Sequence, residues 1–505
     1  MSQGTQGLTR HALSGMFWTA WGSGASAVLR IVVLVALARL LSPADFGVVG
    51  AGLVVITLST AVSQLGLGPA LVQRPTLAAD HIQTAFVASA ALGLGLAGLL
   101  WLVAPLLAGF FHMAELSWVL RWLSLLFPLR GVATVAENLL QRDLRFRFLA
   151  NAEVLTYGFG YGLLGILLAW LGWGLWSLVA AQLAQTFLYA VALLAVRPPR
   201  LAPAPTWNAF KDLLSFGGGF TAARLANLVA DQGDNLVVGR TLGAEPLGLY
   251  TRAFQLMAVP ATLFGNILDR VLFPTMARCQ DDLTRLAAAY HRGCAAVALA
   301  MLPVSIVLLV LAPEIVLVAF GPRWLGVVPP FQIFAIGIMF RTSYRMSDSL
   351  ARATGAVYRR AWRQILFAAL VVGCAWAGSR WGITGVAWGV LASHIANFVF
   401  MAHLSVRVTR SRWRDFIVPH LPALGLGLVA GAFAWGTVEP LRVAEAHPLL
   451  RLVAASVATA LGVGVLAWRF PVRLLGPHGI WMREVLWQYL PSHRTPAAST
   501  SGSGR

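Results

Sequence analysis

Charged side chains lie within long apolar segments of this 505-residue sequence, at spacings typical of a single helix face. Arg224, Asp231 and Asp234 are separated by seven and three residues, so they share one face of a helix. Arg130 and Glu137, also seven residues apart, form a second face of this kind. A charged side chain at the centre of a bilayer costs about 2.5–3.5 kcal/mol on insertion scales. We therefore expect these charges to face one another or water.

Six apolar segments carry such polar faces, and arginine predominates among their charges. The cations are Arg30, Arg130, Arg224, Arg252, Arg270, Arg341 and Arg345. The acids are Glu137, Asp231, Asp234, Asp269 and Asp348. A cavity lined by these side chains is net positive and favours an anionic ligand, above all phosphate, which arginine binds through two hydrogen bonds. The alternative is that the charges form structural ion pairs that seal a helix bundle.

The acids themselves have two possible roles. Glu137, Asp231, Asp234 or Asp348 can exchange protons or hold Na⁺, which would couple transport to an ion gradient. They can equally act as ion-pair partners that change between conformations. Beyond a coupling H⁺ or Na⁺ no cofactor is expected, because the ten histidines are dispersed and the three cysteines have no C-x-x-C spacing.

The composition defines the elements that must hold these residues. The chain is 58% hydrophobic and only 11% charged, and its mean hydropathy is +0.73. A soluble domain has about 25% charged residues, so a water-soluble enzyme and a disordered chain are both excluded. Since a bilayer core requires about 20 apolar residues of helix, fourteen spans are predicted. They are 15–40, 46–68, 83–110, 116–140, 150–171, 174–196, 213–239, 247–274, 290–319, 326–350, 362–379, 383–406, 416–437 and 449–470.

The polar faces fall on spans one, two, four, seven, eight and ten. The other spans are mostly apolar on all sides, apart from Glu153 and Glu314 near helix ends. Most of the loop arginines lie in the even-numbered loops, so the positive-inside rule places these loops and both termini in the cytoplasm. The net charge of +19 is therefore mainly a topology signal, and we do not expect nucleic acid as a partner.

A weak internal repeat divides the chain. Arg39 and Gly47 match Arg240 and Gly248 at an offset of 201 residues. Six spans per half is an even number, so the repeats are parallel, as in many transporters with a central site between two lobes. We predict an N-lobe over 1–200, a C-lobe over 201–406, two extra helices over 407–475, and an interfacial segment with a disordered cytoplasmic tail over 476–505. The predicted fold is thus an all-α polytopic membrane protein, with two parallel, pseudo-symmetric six-helix lobes around a central cavity.

Enzyme motifs are absent from the sequence. It has no G-x-x-x-x-G-K-[ST], G-x-S-x-G or H-E-x-x-H motif, and every predicted external loop is short. A membrane polymerase or ligase usually carries a large external loop with catalytic acids or histidines. We therefore expect a protein that is not an enzyme.

Two long runs carry a family resemblance. The first comprises 38–47 (ARLLSPADFG) with 66–74 (GLGPALVQR), and the second comprises Asp234–Arg240, Gly248–Tyr250 and Val271–Pro274, with 320–324 (FGPRW) as a further stretch. They resemble bacterial polysaccharide flippases of the Wzx type, in the multidrug/oligosaccharidyl-lipid/polysaccharide flippase superfamily. Exopolysaccharide exporters of the colanic-acid or xanthan type are nearest, and the resemblance covers about residues 8–406.

The resemblance implies movement of undecaprenyl-diphosphate-linked oligosaccharide across the bacterial inner membrane for exopolysaccharide or lipopolysaccharide synthesis, driven by an ion gradient. The implied partners are this lipid, the membrane, and the polymerase and export machinery of the same pathway. A peptidoglycan-precursor flippase and a cation-coupled drug exporter of the same superfamily are the alternatives. The predominance of arginine in the polar faces disfavours the drug exporter, and the short external loops disfavour an O-antigen polymerase or ligase.

Overall fold

A computed structural model describes residues 27–63, 68, 71–72, 77–198, 206–477 and 479–480. Within these ranges, side chains are described except at 61–63, 212–226, 263, 266–275 and 357. The described residues form helices and contain no strand, which confirms the predicted all-α class. Ten described segments are long and apolar enough to cross a membrane, and one of these, Tyr358–Thr409, contains two helices. The count of fourteen spans stays a prediction.

The helices follow the predicted spans in order, so they are numbered alike. The first half comprises α1 (27–40), α2 (Pro43–Ser63), α3 (Ala79–Phe111), α4 (Leu116–Leu123 continuing as Leu126–Arg142), α5 (Phe146–Thr156, a π-helical segment Tyr157–Leu163, and Leu164–Trp170) and α6 (Leu175–Val196). The second half comprises α7 (Trp207–Thr241), α8 (Ala244–Arg278), α9 (Leu283–Ala319), α10 (Val328–Ala353), α11 (Val357–Gly378) and α12 (Gly382–Thr409). The remainder is α13 (Trp413–Ile417 and Leu421–Val443) and α14 (Pro448–Arg469). A short 3₁₀ helix, Pro322–Val327, precedes α10.

The chain packs as two compact units. One unit contains residues up to Val259 together with Ile315–Phe334 and Ala361–Asn397. The other contains Pro260–Glu314, Ala335–Arg360 and the chain from Phe398 onward. Each of the helices α8 to α12 therefore contributes residues to both units. The division at residue 200 was inferred from the repeat and not from packing, and it stays a prediction.

The first unit is built around α1–α6 with α7 and the start of α8. Within it α3 packs on α4, α4 on α6, and α7 on both α2 and α3. Its core includes fully buried side chains from several of these helices, such as Leu37, Leu120 and Tyr250. In the second unit the buried side chains include Tyr290 and Met346. Many large apolar side chains on α3 and α14 are instead exposed, as expected for surfaces that contact lipid.

Candidate functional site

An ion pair links the first and fifth helices of the first unit. Arg30 Nη2 lies 3.1 Å from Glu153 Oε1, and both side chains are about half exposed. The guanidinium of Arg30 also lies over the ring of Tyr157, 4.9 Å from its centroid, in a cation–π contact. Tyr157 in turn stacks on Tyr161 at a centroid distance of 5.2 Å. The predicted cavity cation Arg30 is therefore held by an acid and an aromatic pair.

Arg252 of α8 extends this cluster. It lies in the neighbourhood of both Tyr157 and Tyr161. Its guanidinium lies 4.4 Å from the centroid of the Phe46 ring and donates a hydrogen bond to Gln255. The Nε atom of Arg252 is buried and has no hydrogen-bond partner in the structure. The structure therefore brings Arg30 and Arg252 to the same pair of tyrosines, with one guanidinium donor still unused.

A polar pocket of about 370 Å³ lies beside this cluster, among α4, α5 and α6. The charged residues Arg130, Glu137 and Glu153 line it together with neutral polar side chains. These neutral lining residues are Thr134, Thr156, Gln182, Gln185, Thr186 and Tyr189. Glu137 accepts a hydrogen bond from Gln141 Nε2 at 3.4 Å. Glu153 thus belongs to both the pocket and the ion pair with Arg30.

Sequence analysis missed the part of the pocket that α6 supplies. It treated spans five and six as apolar, whereas Gln182, Gln185 and Tyr189 of α6 point into the pocket. Their spacing of three and four residues is that of a single helix face, which is the signal that could have revealed them. The low overall polarity of α6 concealed this stripe.

A π-helical segment in α5 positions the pocket walls. The sequence from Tyr157 to Leu163 has glycine at alternate positions, and π-helical turns inside α-helices occur frequently at functional sites. A Cβ atom placed on Gly160 would lie 2.6 Å from the Cα of Gln185, so only glycine permits this approach of α5 to α6. The glycine therefore brings Gln185 beside the segment that carries Tyr157 and Tyr161.

The acids predicted on α7 have different environments. Asp234 is 2% exposed, and it accepts hydrogen bonds of 2.8 Å from the Tyr250 hydroxyl and from the Asn235 backbone N–H. Asp231 is exposed. Neither residue lines the pocket among α4, α5 and α6. Asp234 therefore has the contacts of a residue that fastens α7 to α8.

Three predicted site residues with described side chains, Arg341, Arg345 and Asp348, lie in the second unit. Asp348 is paired with Arg360 and, at 3.1 Å, with Arg352. The Arg345 side chain lies against Gly265. A Cβ atom added to Gly265 would be 2.7 Å from Arg345 Nη1. Arg341 is partly buried on the same helix. The side chains of Arg224, Asp269 and Arg270 lie outside the described residues.

A metal centre is not evident in the part of the chain that the structure describes. No three His, Cys, Asp or Glu residues converge there as ligands. The described chemistry is that of arginine, carboxylate, amide and hydroxyl groups within apolar helices.

Comparison with known proteins identifies the family. The family described as "Polysaccharide biosynthesis protein" matches residues 36–329, more than half of the chain. The chain belongs to this polysaccharide biosynthesis family. The teichuronic acid biosynthesis protein TuaB of Bacillus subtilis (strain 168) is 25% identical over 436 residues, which cover 84% of this chain and 89% of TuaB. The lipopolysaccharide biosynthesis protein WzxC of Escherichia coli (strain K12) is 26% identical over 425 residues, which cover 81% of this chain and 84% of WzxC.

A further relative and two solved structures are also similar to this chain. The succinoglycan biosynthesis transport protein ExoT of Rhizobium meliloti (strain 1021) is 29% identical over 63% of this chain and 64% of ExoT. The lipid II flippase MurJ, in an inward closed conformation, superposes with a TM-score of 0.73, covering 93% of this chain and 99% of MurJ at 12% identity. An inward-facing multidrug resistance MATE transporter of the MOP superfamily superposes with a TM-score of 0.62. The match covers 76% of this chain and 95% of the transporter at 17% identity. At these identities the two structures show the fold alone. The chain is thus a multi-span membrane protein of the polysaccharide biosynthesis family, which agrees with the family that its signature runs predicted.

Proposed function

We propose that the protein is a flippase and not an enzyme. It moves undecaprenyl-diphosphate-linked oligosaccharide from the cytoplasmic to the periplasmic leaflet of the bacterial inner membrane, with both of its own termini in the cytoplasm. The observation that carries this proposal is the cluster of Arg30 and Arg252 around Tyr157 and Tyr161, within apolar helices of a polysaccharide biosynthesis family member.

The cluster suits a lipid diphosphate. Guanidinium groups bind phosphate oxygens through paired hydrogen bonds, and Arg252 retains an unpartnered buried Nε–H. Arg30 is half exposed, so its guanidinium remains accessible to a ligand. The polyprenyl tail stays in lipid while the diphosphate contacts these arginines. Rocking of the helix bundle then moves the site between leaflets, driven by a gradient of H⁺ or Na⁺.

Gene deletion tests the proposal directly. Cells that lack the protein should accumulate lipid-linked oligosaccharide in the inner leaflet, and the wild-type gene should restore polymer export. Arg30→Ala and Arg252→Ala should each lower export about tenfold or more at normal protein level, because a hydrogen bond to a charged group is worth about 1.5–3 kcal/mol. Export that is unaffected by both substitutions would contradict the proposal.

A matched control lies on α4. Arg121 is another arginine within the helices, but its guanidinium lies over the rings of Trp118 and Trp101, away from the tyrosine pair. Arg121→Ala should therefore leave export nearly unchanged. Removing the Na⁺ gradient, or the proton gradient with an uncoupler, identifies the coupling ion.

A peptidoglycan-precursor flippase is the second candidate, because the fold matches MurJ over nearly the whole chain. The two functions differ in the phenotype that they rescue. Expression in cells depleted of their own lipid II flippase should not restore growth if the polysaccharide function is correct.

A further inference from the structure

The pocket among α4, α5 and α6 has unused hydrogen-bonding capacity. The side-chain amides of Gln182 and Gln185 line it, and neither is hydrogen-bonded to another residue that the structure describes. An amide that leaves water without finding a partner costs free energy, and the cost is higher in a membrane than at a protein surface. These two amides therefore require water or a ligand in the pocket.

Three threonine hydroxyl groups add hydrogen-bond acceptors to the pocket. Thr134, Thr156 and Thr186 each donate their hydroxyl proton to a backbone carbonyl of their own helix, at 2.7, 2.7 and 2.9 Å. Their oxygen lone pairs remain available as acceptors. Together with the two amides, which both donate and accept, the walls offer interleaved donors and acceptors. This pattern matches a ligand that carries several hydroxyl groups.

The balance of acidic and basic groups in the pocket indicates which class of ligand it can bind. Glu137 and Glu153 are balanced by Arg130 in the pocket wall and by Arg30, which is paired to Glu153 at 3.1 Å. A site for Na⁺ or for a transported proton benefits from excess negative charge, and a phosphate site benefits from excess positive charge. A balanced set of charges fits a neutral ligand instead. The volume of about 370 Å³ lies in the range of small-molecule sites and is large for a single ion.

We propose that this pocket is a saccharide subsite, in which Gln182, Gln185, Glu137 and Arg130 hydrogen-bond the hydroxyl groups of a sugar. The inference rests on the proposed flippase function, because the sugar belongs to the lipid-linked oligosaccharide. Glu153 connects the subsite to Arg30, so the sugar lies next to the arginines that hold the diphosphate. The pocket thereby selects for the oligosaccharide, while the arginines select for the lipid diphosphate that every such substrate shares.

The test compares two lipids on the full-length protein in lipid nanodiscs. One is undecaprenyl diphosphate without sugar, and the other is the lipid-linked oligosaccharide extracted from the producing cells. Wild-type protein should bind the oligosaccharide form about tenfold or more tightly, because two or three additional hydrogen bonds form to the sugar hydroxyl groups. The Gln182→Met, Gln185→Met double variant should lose this preference and bind the sugar-free lipid as wild type does.

The controls separate the remaining explanations. Asn151 is an exposed amide on α5 outside the pocket, and Asn151→Met should keep the preference. A Gln182→Ala, Gln185→Ala variant repeats the test with smaller side chains, in case methionine perturbs packing. A preference that survives both double variants would overturn the subsite, as would an equal loss of affinity for both lipids. Export that loses its Na⁺ or pH dependence while the preference remains would assign the pocket to a coupling cation and also overturn the subsite. Wild-type protein that binds neither lipid would instead refute the flippase function itself.

Discussion

Gly47 and Gly248 pack reciprocally at the starts of two matched helices. A Cβ atom on Gly47 would lie 1.7 Å from the carbonyl oxygen of Ala244, and one on Gly248 would lie 1.8 Å from that of Pro43. Pro43 and Ala244 are the first residues of α2 and α8 and are separated by the same 201 residues as the two glycines. Such an exchange of equivalent contacts is what a twofold relationship between two elements produces. The repeat inferred from the sequence thus has a counterpart in packing.

Substitution of either glycine should separate the two helix ends. Alanine at position 47 or 248 places a methyl group well inside the contact distance of a backbone carbonyl, so α2 and α8 must move apart. We expect Gly47→Ala and Gly248→Ala to lower polymer export severely at normal protein level. A cysteine at Leu247, which is fully buried, should also become reactive toward a membrane-impermeant maleimide in intact cells.

Gly50 provides the matched control for this prediction. It lies one turn further along α2, and nothing lies within 4 Å of a Cβ atom added there. Gly50→Ala should therefore preserve export and leave the Leu247→Cys variant unreactive. The native cysteines Cys279, Cys294 and Cys374 are replaced by serine in the labelling background. Wild-type export by both Gly47→Ala and Gly248→Ala would show that the close contact is dispensable.

The Asp234–Tyr250 hydrogen bond predicts how one proposed coupling acid behaves. Asp234 is almost fully buried, and the Tyr250 hydroxyl donates to its carboxylate at 2.8 Å. Tyr250→Phe should lower stability by about 1.5–3 kcal/mol, the usual value of a hydrogen bond to a charged group. Asp234→Asn keeps an acceptor for Tyr250 and should retain export. Complete loss of export by Asp234→Asn at normal protein level would instead indicate a coupling role.

The polar faces can be inferred from the sequence because helical spacing alone determines which residues share a face. Arg130 and Glu137 do line one pocket, and Arg30 does lie among polar partners. Spacing cannot indicate which helix lies opposite, however. The pairing of Arg30 with Glu153 spans 123 residues, and Glu153 looked like an isolated charge near a helix end.

Two other features could not be predicted for the same physical reason. The π-helical segment over Tyr157–Leu163 depends on how α5 fits against α6, and a glycine-rich run is compatible with several backbone shapes. The partners of Asp348 are Arg352 and Arg360, so a charge predicted for the cavity is paired with arginines that lie between the predicted spans 326–350 and 362–379. Local sequence gives the register of a helix, and tertiary packing decides the partner.

The buried carboxylate of Glu314 depends on Arg442, 128 residues away on α13. Glu314 is 1% exposed, and Arg442 donates to its two oxygens at 2.8 and 2.7 Å. Removing one partner of a buried pair leaves an uncompensated charge, which costs about 3–5 kcal/mol. Arg442→Ala should therefore lower thermal stability in detergent strongly. Arg442→Lys should restore only part of it, because a lysine cannot form the paired hydrogen bonds.

The neighbouring residue Glu439 separates burial from simple charge pairing. It also accepts a hydrogen bond from Arg442, at 3.2 Å, but its side chain is 43% exposed. Exposed ion pairs contribute about 0–1 kcal/mol, so Glu439→Ala should change stability little. The double variant Glu314→Gln, Arg442→Gln should be more stable than Arg442→Ala, since no buried charge remains unpaired. Equal stability of Arg442→Ala and Glu439→Ala would contradict the role of burial.

The buried contacts of Trp324 give the run 320–324 a structural role. Its indole is fully buried, donates from Nε1 to the Ala38 carbonyl at 2.8 Å, and packs edge-to-face on Phe46 at 5.5 Å. These contacts fasten the segment before α10 to the end of α1 and the start of α2.

Trp324→Phe keeps an aromatic ring but leaves the Ala38 carbonyl without this donor, at a cost of about 1–3 kcal/mol. Trp324→Ala also opens a cavity and should cost about 3–5 kcal/mol. Thermal unfolding in detergent should therefore rank wild type above Trp324→Phe and Trp324→Ala last. The exposed Trp468 of α14 supplies the control, because its substitution by alanine should shift the unfolding temperature little. A Trp324→Phe protein as stable as wild type would mean that the indole hydrogen bond contributes nothing to this junction.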